Sequence, residues 1–339
     1  MTQHSFITGV SGQSLTAAET TFLRASRPAG LILFARNIDA PDQVWRLIAD
    51  ARTAIGADVL VLVDQEGGRV QRLRPPHWRT LPSGAMYAAR ARNDLVQAVA
   101  ETRTIARLIA HDLRGLGINC NCTPVLDVPV AGAHEVIGSR ALGTSPETII
   151  ALGRAIADGH LAGGVLPVIK HIPGHGRATV DTHHAIPAVT TSQADLAASD
   201  FLPFKALSDL PAAMTAHVVF EAIDPSATAS TSAIVTQRII RDAIGFDGLL
   251  MSDDLSMQAL QGTLGQRAAA VLAAGTDLAL HCNGDMAEME QVAAAAHALE
   301  GKSAARYARA IAVTQYQATF DMAAAEHCLQ QVLAASNLA

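Results

Sequence analysis

Short apolar runs rich in Val, Ile and Leu alternate with longer, Ala-rich amphipathic stretches from one end of the chain to the other. A parallel sheet built from βα units requires this alternation, because each strand must be returned to the same edge by a covering helix. The candidate strands are residues 5–9, 30–34, 59–64, 118–127, 167–171, 213–217, 249–253 and 277–281. Several are nearly continuous apolar runs, as expected of strands covered on both faces. Eight such units predict an α/β fold, a single-domain (β/α)8 TIM-like barrel, with a doubly wound sheet as the alternative. Ser145 and Pro146 read as an N-cap and first helical position, and Gly163-Gly164 ends that helix. Between residues 95 and 115, Ile105, Leu108, Ile109 and Leu113 fall on one helical face. No repeat, charge block or linker divides residues 1–339, so one domain is expected, with the Ala-rich tail from residue 285 packed as helices on its outside.

Charge and hydropathy exclude several classes of function. Lys and Arg number 25 against 31 Asp and Glu, a formal net charge of -6, so no cationic surface suits a nucleic-acid backbone. Half of the 339 residues are apolar, far too many for a disordered chain. No apolar run approaches the roughly 18–20 residues of a membrane helix. Residues 1–10 lack the basic and apolar regions of a secretory signal, so a cytoplasmic protein is expected. Four cysteines make no disulfide framework. Cys120 and Cys122, two apart in a strand-like run, share one face and read as small apolar fillers.

In an α/β barrel, chemistry gathers where strands end, and these strand ends are rich in polar residues. The third run ends in Asp64-Gln65-Glu66-Gly67-Gly68-Arg69, the fifth in Lys170-His171, the sixth in His217 and the seventh in Asp253-Asp254. Charges ending apolar strands must be paired or face a wet cavity. The densest stretch, residues 170–177, is followed by Asp181-Thr182-His183-His184; its two glycines and proline exclude a helix there. Asp181 is close enough in sequence to His183 to orient its imidazole, as in a catalytic triad. Three other readings compete: His171, His175, His183 and His184 as zinc ligands, Gly174-His175-Gly176 as a phosphate cradle, or the histidines as structural pins, His175 above all. Asp253 is a candidate nucleophile or metal ligand and should face the pocket. Asp254, pointing the other way, should be held by backbone or cations.

These residues resemble glycoside hydrolase family 3, and specifically its single-domain bacterial β-N-acetylglucosaminidases of peptidoglycan recycling. The resemblance rests on residues 30–34 with Arg36-Asn37, on VDQEGGRVQRL from Val63, on residues 170–176 with Asp181-Thr182-His183, on Met214-Thr215-Ala216-His217, and on residues 252–257. It implies an α/β barrel without metal or organic cofactor. In it Asp253 matches the nucleophile, His183 the acid/base and Asp181 its partner. Asp64, Arg72, Arg140, Lys170 and His171 match positions that hold the hydroxyls and acetamido group of the terminal sugar. Ile172 departs from the family's usual Phe, and Ser139 from a common acidic residue.

The expectation is therefore a retaining exo-β-N-acetylhexosaminidase acting on a small amino-sugar disaccharide or muropeptide, with neither nucleic acid nor membrane as partner. A metal-dependent barrel hydrolase using the histidine-rich loop, and a sugar-binding protein without turnover, are the alternatives.

Overall fold

The computed structural model describes residues 2–132, 135–178 and 186–336. Eight parallel strands form the barrel: β1 (His4–Thr8), β2 (Pro28–Leu33), β3 (Leu60–Val63), β4 (Cys120–Asn121), β5 (Leu166–Pro167 continuing as Ile169–Ile172), β6 (Ala212–Thr215), β7 (Leu249–Asp254) and β8 (Leu278–His281). Each pairs with the next, β8 pairs with β1, and the two segments of β5 bond β4 on one side and β6 on the other. The ring closes there, and the doubly wound alternative is excluded.

Side chains alternate across a strand, so every second residue points inward. Ile7, Ile32, Leu60, Leu62, Cys120, Cys122, Leu166, Val168, Met214, Leu249, Met251, Leu278 and Leu280 form one buried cluster filling the barrel. The two cysteines are thus core fillers, as their spacing predicts. The other parity, including Leu31, Leu33, Val61, Val63, Ile169 and Leu250, packs under the helices. Helix Leu95–Gly115 buries Ile105, Leu108, Ile109 and Leu113 on that layer. Helix Pro146–Ala162 begins where expected, the Thr148 N–H donating to Ser145 Oγ at 3.3 Å, and ends at Gly163.

The fourth strand is far shorter than residues 118–127. Pro124 has no N–H for a ladder, and beyond Asn121 only Val125 makes a bridge, to Lys170. Past residue 285 lie helices Met286–Ala295, Gly301–Val313 and Met322–Ser336. The middle one lies across the N-terminal end of the barrel, where Tyr307 donates to the Ala29 carbonyl at 2.7 Å. Among the described residues no helix is long and apolar enough to cross a membrane.

Candidate active site

The inward parity of each strand continues past the barrel's C-terminal edge, and there it becomes polar. After Leu60 and Leu62 the same face carries Asp64 and Glu66; after Leu166 and Val168 it carries Lys170; after Leu249 and Met251 it carries Asp253. These residues line one cavity of about 430 Å³ together with Arg72, Arg140, His171 and His175. Six of the eight sequence candidates, Asp64, Arg72, Arg140, Lys170, His171 and Asp253, therefore meet at one mouth. The other two, Asp181 and His183, lie outside the described residues, as does His184.

One wall is a chain of ion pairs. Lys170 Nζ lies 3.0 Å from Asp64 Oδ1 and 2.7 Å from Glu66 Oε1. Arg72 reaches Asp64 Oδ2 at 3.0 Å, and Arg140 grips Glu66 through two bonds of 2.8 and 2.9 Å. The turn that makes this possible passes through Gly67 and Gly68 at φ +105° and +55°, where a side chain would be strained. It folds Gln65–Gly67 back on Val70–Gln71, returning Arg72 to Asp64. Burial alone would raise the carboxyls of Asp64 and Glu66. The cations outweigh it, holding Asp64 far below the usual range and Glu66 at about 2. Burial likewise opposes the charge on Lys170, but the two carboxylates push its pKa above the ordinary value.

Lys170 and His171 both line the cavity, and the peptide joining them is cis. His171 Nδ1 lies 2.7 Å from Asp127 Oδ2, while the backbone N–H groups of His171 and His175 both donate to Oδ1. Asp127 is fully buried; burial raises its carboxyl, yet His171 and these bonds bring it down to about 2. His175 is buried at about 4, lowered chiefly by desolvation. Its ring is not the satisfied pin expected from sequence, since Nδ1 has no partner among the described residues. Its backbone does the pinning instead.

Asp253 and Asp254 both line the cavity, against the expectation that Asp254 points away, but Asp254 is held by backbone as expected. The Asp254 carboxylate accepts from the backbone N–H of Ser256 and Cys282, at 3.1 Å each, and from the Ser256 hydroxyl. Its own N–H donates to Asp253 Oδ1 at 2.8 Å. Burial would raise the Asp253 carboxyl, but His171, then His217, hold it below its ordinary value, so it stands ionised at the cavity. His217 is buried and lowered by desolvation; its Nε2 donates to the Asp254 carbonyl at 3.0 Å. An ionised carboxylate facing a cavity walled by hydrogen-bonding cations and anions suits attack at an electrophilic carbon of a polyhydroxylated substrate.

Glu66 and Asp127 belong to the site as well, although neither is among the site residues expected from sequence. Glu66 was legible, lying two residues beyond Asp64 on the same face. Asp127 was not, because its partner is 44 residues away.

The family described as glycosyl hydrolase family 3 N terminal domain matches residues 7–314. The chain belongs to glycoside hydrolase family 3. Among curated members, the β-hexosaminidase of Pseudomonas aeruginosa is 40% identical over 304 residues, 88% of each chain. That of Methylococcus capsulatus is 39% identical over 297 residues, 86% of each. Among solved structures, NagZ from Neisseria gonorrhoeae in complex with N-trifluoroacetyl-D-glucosamine superposes with a TM-score of 0.87 over 98% of both chains at 30% identity. The chain is accordingly a family 3 glycosidase of the β-hexosaminidase group, and its TIM-like barrel is the fold of those relatives.

Proposed function

We propose that this enzyme is an exo-acting, retaining β-N-acetylglucosaminidase with Asp253 as nucleophile and His183, oriented by Asp181, as acid and base. Asp253 attacks C1 of the terminal N-acetylglucosamine while the His183 imidazolium protonates the glycosidic oxygen, and the C1–O bond breaks. The resulting imidazole then takes a proton from water, whose oxygen displaces Asp253 from C1. Two inversions restore the β configuration. An imidazole's ordinary pKa of about 6.5 suits both halves of this cycle near neutrality.

The observation that carries this reading is the Asp253 carboxylate, ionised at the end of β7 and bordering the ion-paired wall. Asp64, Arg72, Arg140, Lys170 and His171 supply the donors and acceptors for the sugar's hydroxyls and acetamido group. The curated relatives' names support an amino-sugar substrate. We assign the natural substrate as N-acetylglucosaminyl-1,6-anhydro-N-acetylmuramic acid, with or without peptide, met in the cytoplasm during peptidoglycan recycling.

Mass spectrometry of protein treated with a fluorinated N-acetylglucosaminyl donor should show one covalent adduct, mapped to the peptide containing Asp253 and absent from Asp253→Ala. An adduct elsewhere, or release of the α-anomer as first product by NMR, would overturn the mechanism.

A further inference from the structure

Asp127 occupies a position that the proposed cycle does not use. It is a fully buried carboxylate whose three hydrogen bonds among the described residues all go to the segment entering the candidate proton donor's loop: one to the His171 ring, one to the His171 backbone and one to the His175 backbone. A buried charge with this set of partners fixes more than a backbone. Because Oδ2 of an ionised carboxylate only accepts, the His171 nitrogen facing it must carry hydrogen. The ring's remaining polar atom, Nε2, is then the one left for the cavity that His171 lines.

From this geometry we infer that Asp127 is a positioning residue acting through His171: it selects the Nδ1–H form of the ring and holds Nε2 toward the sugar beside Asp253. The inference deepens the reading of the same site and rests on it. The groups around His171 agree with such a role. Its ring stands 5.6 Å from that of His175, which is neutral near pH 7 and offers no competing charge. Lys170 is engaged by Asp64 and Glu66, and His217 by Ser230 and the Asp254 carbonyl. His171 also lines the same cavity as Asp253. Asp127 thus controls a ring that bears both on the substrate and on the attacking carboxylate, as the Asp of a triad controls its histidine without touching substrate.

Asp127→Asn tests this. The substitution keeps size and one acceptor for the two backbone N–H groups, but sets an amide donor against Nδ1. Hydrolysis of an aryl β-N-acetylglucosaminide should fall roughly 10- to 100-fold in kcat/KM, by analogy with the loss of the partner behind a metal-bound histidine. The same change in a His171→Gln background should add little, because the route through the ring is already gone. Equal losses in both backgrounds would reduce Asp127 to a structural anchor and overturn the inference. Should Asp127→Asn not fold, ¹⁵N NMR of histidine-labelled wild-type protein decides, with the His171 signal assigned from His171→Gln. Hydrogen on Nδ1 is expected, and a bare Nδ1 sinks the idea. Adduct formation on Asp253 in the wild type keeps a failure here separate from a failure of the glycosidase mechanism.

Discussion

Glu66 holds together the cavity's cationic wall. Lys170 is 2% exposed, and a buried ammonium without partners would be driven to neutrality. It stays charged because Asp64 and Glu66 flank it, and Glu66 in turn carries Arg140 by a two-bond fork. Removing one member of such a group leaves the others uncompensated. We expect Glu66→Gln to cost about 3 kcal/mol in urea unfolding, toward the lower end for a broken buried pair because the amide oxygen still accepts. KM for an aryl N-acetylglucosaminide should rise as Arg140 loses its clamp. Wild-type stability together with wild-type KM would show that Asp64 alone suffices. This arrangement was half legible beforehand. Asp64 and Lys170 stand out as charges ending apolar runs and Arg72 and Arg140 only through the family resemblance, but which acid grips which base is set by a turn through two glycines and by residues 74 positions apart.

At the scale of elements, the period-two pattern carried most of the information. It located the strands, and by continuing past their ends it brings Asp253 to the cavity; Asp254 lines the cavity too, but its carboxylate is held by the backbone of Ser256 and Cys282. The pattern failed at the fourth strand, where residues 118–127 read as one run. There two asparagine side chains do part of the ladder's work. Asn119 accepts from Val61 N at 2.7 Å and donates to Val59 O at 3.2 Å, while Asn121 accepts from Gln65 N at 2.9 Å and donates to Gln65 O at 3.0 Å. Side chains that mimic a strand leave no periodic trace in sequence. Asn121 therefore fixes both sides of the residue between Asp64 and Glu66, and so the geometry of the wall. Truncating it orphans two backbone groups of Gln65 and the ring of His160, each worth about 1 kcal/mol or more when left buried without a partner. Asn121→Ala should lose about 2–4 kcal/mol by urea unfolding and weaken substrate binding more than kcat. A change in kcat with KM unaltered would count against it.

The molecule as a whole should lose stability to acid in two stages, through groups on one side of the barrel. His160 is fully buried, its Nε2 2.9 Å from Asn121 Nδ2 and its Nδ1 bonded to Ile156 O; desolvation lowers its pKa from 6.5 to about 4. A base whose folded pKa is depressed binds its proton more readily in the unfolded chain. Its contribution is therefore complete above about pH 6.5 and is lost as pH falls through 4. A shift of this size corresponds to about 3 kcal/mol, and His175 acts in the same window. Asp127 and Glu66, both near 2 in the fold, add a second loss from about pH 4.5 downward as the unfolded chain takes up protons first. Urea unfolding between pH 7.5 and 3 should thus show stability already falling by pH 5.5, before ordinary carboxylates titrate. His160→Gln, which removes the titrating ring but keeps a polar side chain beside Asn121, should flatten the slope between pH 6.5 and 4.5 and leave the lower stage intact. An unchanged slope above pH 4.5 in that variant would assign the early loss to other groups.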